Sequence, residues 1–313
     1  MRVIILTNSS ENRWFVDNDK LYINLPLDFN MAVNLGYLGR NKNECMYDIE
    51  NNVITRVVQT GASANRLVQI YENDKNQMIV QFIDSTPAEK EWKKVFSFIS
   101  EWFDFEQDLS PFYEMAKGDA LLEKPVQEFR GLRVIGVPDL FEALCWGVLG
   151  QQINLGFAYT LKRQFVEKFG HSIERDGRKY WVFPSYNQIA KLTPGDLADI
   201  KMTVKKSEYI IGIAQLMDRG ELSKEKLLEL DFKDAEKTLI KIRGIGPWTA
   251  NYVLMRCLRF PTAFPIDDVG LHNAIKFLKG SENKPTKEEL IKLSANWSDW
   301  QAYATFYLWR VLY

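Results

Sequence analysis

Three residues, Gly244, Ile245 and Gly246, are all that separates two helical runs of this 313-residue chain. Helical spacing places Leu239 and Ile242 among the buried positions of the first run and Leu254 among those of the second, so the three residues form the turn of a helical hairpin. Glycine tolerates φ > 0, which lets successive backbone N–H groups point the same way and form an anion nest at the N-terminus of the second helix. Such a nest suits a backbone phosphate and reads no sequence, although the same turn would also serve a plain pair of packed helices. Pro247 fits the first helical position because it has no N–H to leave unpaired there, and Thr249 and Ala250 keep the second helix slim. Trp248 and Tyr252, four apart, share one face of that helix, as pocket wall or as core. Phe264-Pro265-Ile266-Asp267-Asp268 then leads into an amphipathic run through Val269, Leu271, Ile275, Phe277 and Leu278. One of the two aspartates is expected to cap that run, the commoner role for such a pair.

The hairpin, Trp248, Thr249-Ala250-Asn251 and an aspartate twenty residues past the tryptophan together resemble the helix-hairpin-helix DNA glycosylase superfamily, and within it the bacterial DNA-3-methyladenine glycosylase II family. The likeness extends over almost the whole chain through Trp102-Phe103-Asp104, Leu149-Gly150-Gln151-Gln152 and the aromatic-rich C-terminus. It implies that Asp268 is catalytic, with Asp267 a structural neighbour. Breaking an N-glycosidic bond builds positive charge on the sugar, which a fixed carboxylate beneath the ring stabilises. It implies further that Tyr37, Trp248, Tyr252 and Trp300 line a pocket for an extruded base, where a π-rich wall favours a cationic alkylated purine. Gly244, Ile245, Gly246 and Thr249 would form the DNA-binding hairpin. The loop Gln151-Gln152-Ile153 would supply the wedge that fills the vacated stack, through Gln152 or Ile153. The carbonyls of Ile240, Ile242 and Ile245 would hold a monovalent cation, sodium or potassium. Relatives that also cut the strand carry a lysine in the second hairpin helix. Trp248 stands there, so water is the expected nucleophile and an abasic site the expected product.

Cys45, Cys145 and Cys257 are the only cysteines, too few for a four-cysteine iron–sulfur cluster, and no cofactor is expected. His171 and His272 lie apart from any cluster at metal-ligand spacing. Tyr303, Phe306, Tyr307 and Trp309 read as core, leaving Trp300 the best pocket residue of the C-terminal aromatics. Three other functions would make different demands on the chain. A non-catalytic hairpin module would need neither Asp268 nor the aromatics; a bifunctional glycosylase-lyase would need a lysine at 248; a nuclease would need more clustered carboxylates than Asp267-Asp268.

Hydrophobic residues make up 46% and charged residues 26% of the chain, as in globular proteins. No stretch reaches the ~20 apolar residues of a membrane span, and Val3-Ile4-Ile5-Leu6 is too short for a signal-peptide core. A cytoplasmic monomer acting on double-stranded DNA is expected. Residues 1–107 hold 11 basic against 15 acidic side chains and residues 108–313 hold 29 against 26, so the basic excess lies with the hairpin. Lys201, Lys205 and Lys206 are candidate phosphate contacts or a solvated helix face. The fold expected is α+β. Residues 1–107 should form an antiparallel sheet from runs at Leu21–Leu25, Val53–Val58, Leu67–Tyr71 and Met78–Ile83, with helices at Met31–Leu38 and Pro87–Phe103. Residues 108–313 should form an all-α region punctuated by Asp139, Gly170, Pro194, Ser207 and Thr286.

Overall fold

The computed structural model describes residues 13–61, 64–84 and 87–313; the Val3–Leu6 run lies outside them. Six strands, β1 (Trp14–Asp17), β2 (Lys20–Asn24), β3 (Tyr47–Glu50), β4 (Val53–Gln59), β5 (Asn65–Asn73) and β6 (Gln77–Phe82), pair antiparallel in the order β1-β2-β6-β5-β4-β3. The alternation of buried Leu21 and Ile23 with half-buried Lys20 and Tyr22 and exposed Asn24 fixes which face of β2 is buried. Two tight hairpins rest on asparagine and aspartate in the left-handed region: Asn18 and Asp19 at φ 46° and 62°, Asn51 and Asn52 at 51° and 62°. The two strands beyond the four expected, β1 and β3, are four-residue strands at the sheet's edges, too short to show a pattern. Helices α1 (Met31–Leu38) and α2 (Glu89–Phe103) complete this part. α2 lays Trp92, Val95, Ile99, Trp102 and Phe103 into the core.

The remainder is built from α3 (Ser110–Ala116), α4 (Glu123–Glu128), α5 (Leu140–Leu149), α6 (Leu155–Phe169), α7 (Tyr186–Ile189), α8 (Val204–Asp218), α9 (Lys224–Leu228), α10 (Phe232–Ile240), α11 (Pro247–Arg256), α12 (Val269–Lys279), α13 (Lys287–Ala295) and α14 (Gln301–Arg310). Asp139, Asn154 and Thr286 cap α5, α6 and α13 through their side chains. Ser207 is no boundary. It lies inside α8, whose cap is Thr203. Nor is the region wholly helical: β7 (His171–Arg175) and β8 (Arg178–Val182) form a hairpin about Asp176-Gly177, both at positive φ. Asp-Gly is a strong hairpin signal, but its charged flanks lack the alternation that marks a strand. Val182 of this hairpin packs with Val57 and Leu67 of the first sheet, and Arg178 pairs with Glu50 at 2.7 Å.

One continuous core runs from Leu21 in the sheet to Trp309 in the last helix. Asp104, left-handed at the end of α2 (φ 52°), ties the two halves together: it accepts the Tyr303 hydroxyl at 2.6 Å and pairs with Arg259 at 2.9 Å. Burial, with Asp104 alongside, pushes the Tyr303 hydroxyl well above its ordinary range. The Trp102-Phe103-Asp104 segment is thus the joint between sheet and helices. Among the described residues no helix is long and apolar enough to cross a membrane.

Candidate active site

Two indoles and a helix N-terminus converge on Asp268. Its Oδ1 caps α12 by accepting the Leu271 N–H at 2.7 Å and also accepts Trp309 Nε1 at 2.8 Å, while Oδ2 accepts Trp248 Nε1 at 2.8 Å. Capping and exposure of the carboxylate to a cleft are therefore combined in one residue rather than divided between the pair. Charge-assisted bonds from three separate backbone and ring donors fix the carboxylate's plane. Asp267 points elsewhere, to an exposed pairing with Lys287 at 3.2 Å. Gly270 matters through its lack of a side chain, since a Cβ there would lie 2.9 Å from Asp268 Oδ1 and 3.4 Å from the Trp309 ring.

Asp268 faces a cleft of about 960 Å³, a volume suited to a small-molecule-sized group. Tyr37, Trp248 and Tyr252 line it as expected; Trp300 does not. Trp300 packs on Phe112 and Tyr303, ring centres 5.7 and 5.8 Å away. It precedes α14, whereas Trp309 sits in the last turn, roughly 13 Å further along the axis, and it is Trp309 that reaches the cleft. Trp146, Arg40 and Tyr313 also line it and escaped the sequence reading. Trp146 was hidden in an apolar helical run, and Arg40, two residues past the end of α1, offered no helical spacing by which to find it. Burial pushes the Tyr252 hydroxyl up to about 12. Behind the cleft, Lys162 pairs with Glu44 at 3.2 Å and Glu142 at 3.0 Å, holding α1's following loop, α5 and α6 together. Burial opposes the charge on Lys162, yet the two carboxylates hold its pKa well above the usual range.

On the rim, α10 and α11 form the hairpin. Gly244 has φ 93° and abuts Tyr209, so that a Cβ would meet the ring at 2.3 Å; only glycine serves there. Gly246 caps α11 without a side-chain bond, and the first-turn N–H groups of Trp248 and Thr249 have no intrahelical acceptor. Thr249's side chain is buried against Gly147, whose own Cβ would lie 2.5 Å from it. The close packing read at Thr249 is thus with α5. Gln151 is bound to the hairpin, its Nε2 donating to the Gly244 carbonyl at 2.8 Å and to Thr249 Oγ1 at 3.1 Å. Gln152 is exposed with φ 57°, and Ile153 is half-buried beside it. Lys206 departs from expectation. It is buried and donates to the Leu149 carbonyl at 2.8 Å, while Lys201 and Lys205 are exposed. His272 is half-buried, with Nε2 2.7 Å from the Ile266 carbonyl.

Residues 145–299 match the HhH-GPD superfamily of base excision DNA repair proteins, and residues 26–144 match the N-terminal domain of 8-oxoguanine DNA glycosylase. Over 302 residues the chain is 66% identical to the DNA-3-methyladenine glycosylase of Bacillus subtilis, covering 96% of this chain and 99% of that protein. The chain belongs to the HhH-GPD superfamily of base excision DNA repair proteins. A second relative in it, DNA-3-methyladenine glycosylase 2 of Escherichia coli, is 28% identical over 57% of this chain and 60% of its own length. In fold, the chain is similar to the 3-methyladenine DNA glycosylase of Archaeoglobus fulgidus, with a TM-score of 0.80 at 24% identity over 92% of this chain and 96% of that one. The two family matches meet at residues 144 and 145, inside α5. All three cysteines are free and buried. Among the described residues no group of three or more His, Cys, Asp or Glu side chains could hold a metal ion.

Proposed function

We propose that the protein is a monofunctional DNA glycosylase that hydrolyses the N-glycosidic bond of alkylated purines, chiefly 3-methyladenine and also 7-methylguanine, in double-stranded DNA, leaving an abasic site. The observation that carries this reading is the Asp268 carboxylate, held by Trp248 and Trp309 at the wall of a cleft of base-pocket size. As the base departs, positive charge grows on the sugar, and a carboxylate about 4 Å away at an effective dielectric near 20 is worth about 4 kcal/mol, roughly a thousandfold in rate. A non-catalytic binding module could use Asp268 as the cap of α12, but would not need that carboxylate held between two indoles at the wall of a cleft. Among the described residues no lysine lines the cleft, which supports a reaction without a Schiff base in which water is the nucleophile. Trp146, Trp248, Tyr252 and Trp309 form the flat walls that take the base. The N–H groups of Gly246, Trp248 and Thr249 grip a phosphate, and exposed Gln152 enters the stack, held in place by Gln151.

The chain works as a monomer, since a single chain supplies carboxylate, cleft and hairpin, and in the cytoplasm, a reducing compartment that its three free, buried cysteines suit. The family likeness implies a monovalent cation beneath the hairpin, and the residues fit one. Among the described residues the Ile240 and Ile245 carbonyls accept no hydrogen bond and that of Ile242 accepts only the Ile245 N–H at 3.0 Å. Such a cation would add positive field under the bound phosphate. The test is to incubate methylated duplex DNA with the wild-type protein and with Asp268→Asn, measuring released bases and strand breaks before and after alkali. Wild type alone should release 3-methyladenine, with breaks only after alkali, while Asp268→Asn loses about a thousandfold in rate and still binds duplex. Release at equal rates by both proteins, or breaks without alkali, would overturn the reading.

A further inference from the structure

The cleft wall holds two guanidinium groups, and they are not equally committed. Arg256 is 5% exposed; it donates Nη1 to the Tyr37 hydroxyl at 3.0 Å and Nε to the Ile135 carbonyl. Arg40 is half-buried, and its guanidinium makes one hydrogen bond among the described residues, Nη1 to the Tyr37 carbonyl at 2.7 Å. Its charge rests on aromatic faces rather than on a carboxylate, with the guanidinium carbon 3.8 Å from the Tyr37 ring centre and 6.0 Å from that of Tyr313. A guanidinium carries five N–H donors in a rigid planar fork. The guanidinium also lies 5.6 Å from the Tyr159 ring centre; its remaining donors have no protein partner among the described residues, and Arg40 lines the cleft.

Two consequences follow for what the cleft prefers. Tyr37 is 2% exposed and its ring is already engaged by Arg40 and by Phe306, ring centres 4.4 Å apart, so it offers no open face to a cationic base. A cationic 6-aminopurine also brings a positive charge and an amino donor toward a guanidinium, and gains nothing from it. A neutral 6-oxopurine brings O6 and N7, the acceptor pair that an arginine fork matches bidentately. We propose that Arg40 is a specificity-determining residue, donating to the acceptor edge of a neutral 6-oxopurine and setting how strongly such bases are taken relative to cationic alkylpurines. This rests on the glycosylase reading above.

The test is single-turnover release of hypoxanthine from inosine-containing duplex and of 3-methyladenine from methylated duplex, by wild type, Arg40→Gln and Arg40→Lys. Wild type should release both bases. Arg40→Gln should lower the hypoxanthine to 3-methyladenine rate ratio tenfold or more, and Arg40→Lys, which keeps the charge without the fork, should fall between. A ratio unchanged within about twofold, with both rates lowered alike, would mark Arg40 as a phosphate contact or a packing residue and overturn the proposal. So would a wild type that releases 3-methyladenine and no hypoxanthine. A wild type that releases neither base would defeat the glycosylase reading itself, and this inference with it. Arg40→Lys keeps the comparison open should the glutamine variant fail to fold.

Discussion

Asp268 gains its position from groups that are themselves held rigidly. Trp309 is packed in the core at 8% exposure, and Trp248 stands on the first turn of α11, ring centre 5.9 Å from Tyr252. Gly270 is what allows the carboxylate and Trp309 to sit so close to the helix backbone. Gly270→Ala would press a methyl group on Asp268 Oδ1 and shift it by a few tenths of an ångström, and misplacement on the order of an ångström can cost 10²-fold. The expected outcome is a fall in the excision rate constant of about tenfold to a hundredfold with affinity for abasic-site duplex unchanged within about threefold, measured by single-turnover kinetics and fluorescence anisotropy. An unchanged rate would show that the carboxylate tolerates displacement. At this scale the Gly-Ile-Gly turn was legible from residue type and spacing, whereas Asp268 and Trp248 were singled out only through the family resemblance. The sequence failed at Trp300, because an aromatic at the start of a helix and one in its last turn look alike until the helix has been placed. Arg40 and Trp146 escaped because neither type is diagnostic without its neighbours.

The elements that would meet DNA are bolted to one another by polar side chains. Gln151 binds the loop after α5 to the hairpin, and Lys206 of α8 anchors the loop's first side by donating to the Leu149 carbonyl. An ammonium at 8% exposure with a carbonyl as its partner is costly to bury, and burial pulls the Lys206 pKa down. Lys206→Met keeps the stem and leaves the carbonyl unpaired, a loss of about 1–3 kcal/mol. The loop should loosen while the cleft stays intact. The expected result is slower base extrusion, read by a 2-aminopurine reporter beside the lesion, with a normal rate of excision from a bulged, already unpaired substrate. Equal slowing on both substrates would sink the positioning role. The helices here were legible from caps and apolar period, as with α5 begun at Asp139 and α13 begun at Thr286. The pieces that were missed, β1, β3 and the β7–β8 hairpin, pair with the next strand in the chain, but they are only four or five residues long or carry charged side chains, so they show none of the apolar alternation that marks a strand.

Across the whole molecule, the seam read at residue 107 is a change in secondary structure and not a gap in packing. The core passes from the sheet through Phe103 and Phe112 to Tyr307 without interruption, and Asp104 clamps Tyr303 and Arg259 across it. Disturbing the sheet end should therefore be felt at the cleft. Glu91 offers a handle far from Asp268: at 4% exposure it takes Arg66 at 2.9 Å, the Thr60 hydroxyl and the Ala88 N–H. Arg66 above all, with those two bonds, holds its carboxyl down to about 2 from an ordinary 4.5. A carboxylate with a depressed folded pKa contributes stability that is fully present above about 4.5 and is lost as pH falls toward about 2, here at most about 3 kcal/mol. Glu91→Gln should be less stable than wild type at pH 7 by up to that amount, and the gap should close as the pH is lowered from about 4.5 to about 2. Because the core is continuous, far-ultraviolet circular dichroism, dominated by the helical half, and a fluorophore attached at Lys75→Cys, an exposed turn position of the sheet, should report the same transition in urea, with coincident midpoints shifted alike by the substitution. Separate midpoints, with only one displaced, would show that the sheet module and the helical half unfold independently, and that the cleft is insulated from the end of the molecule where Glu91 lies.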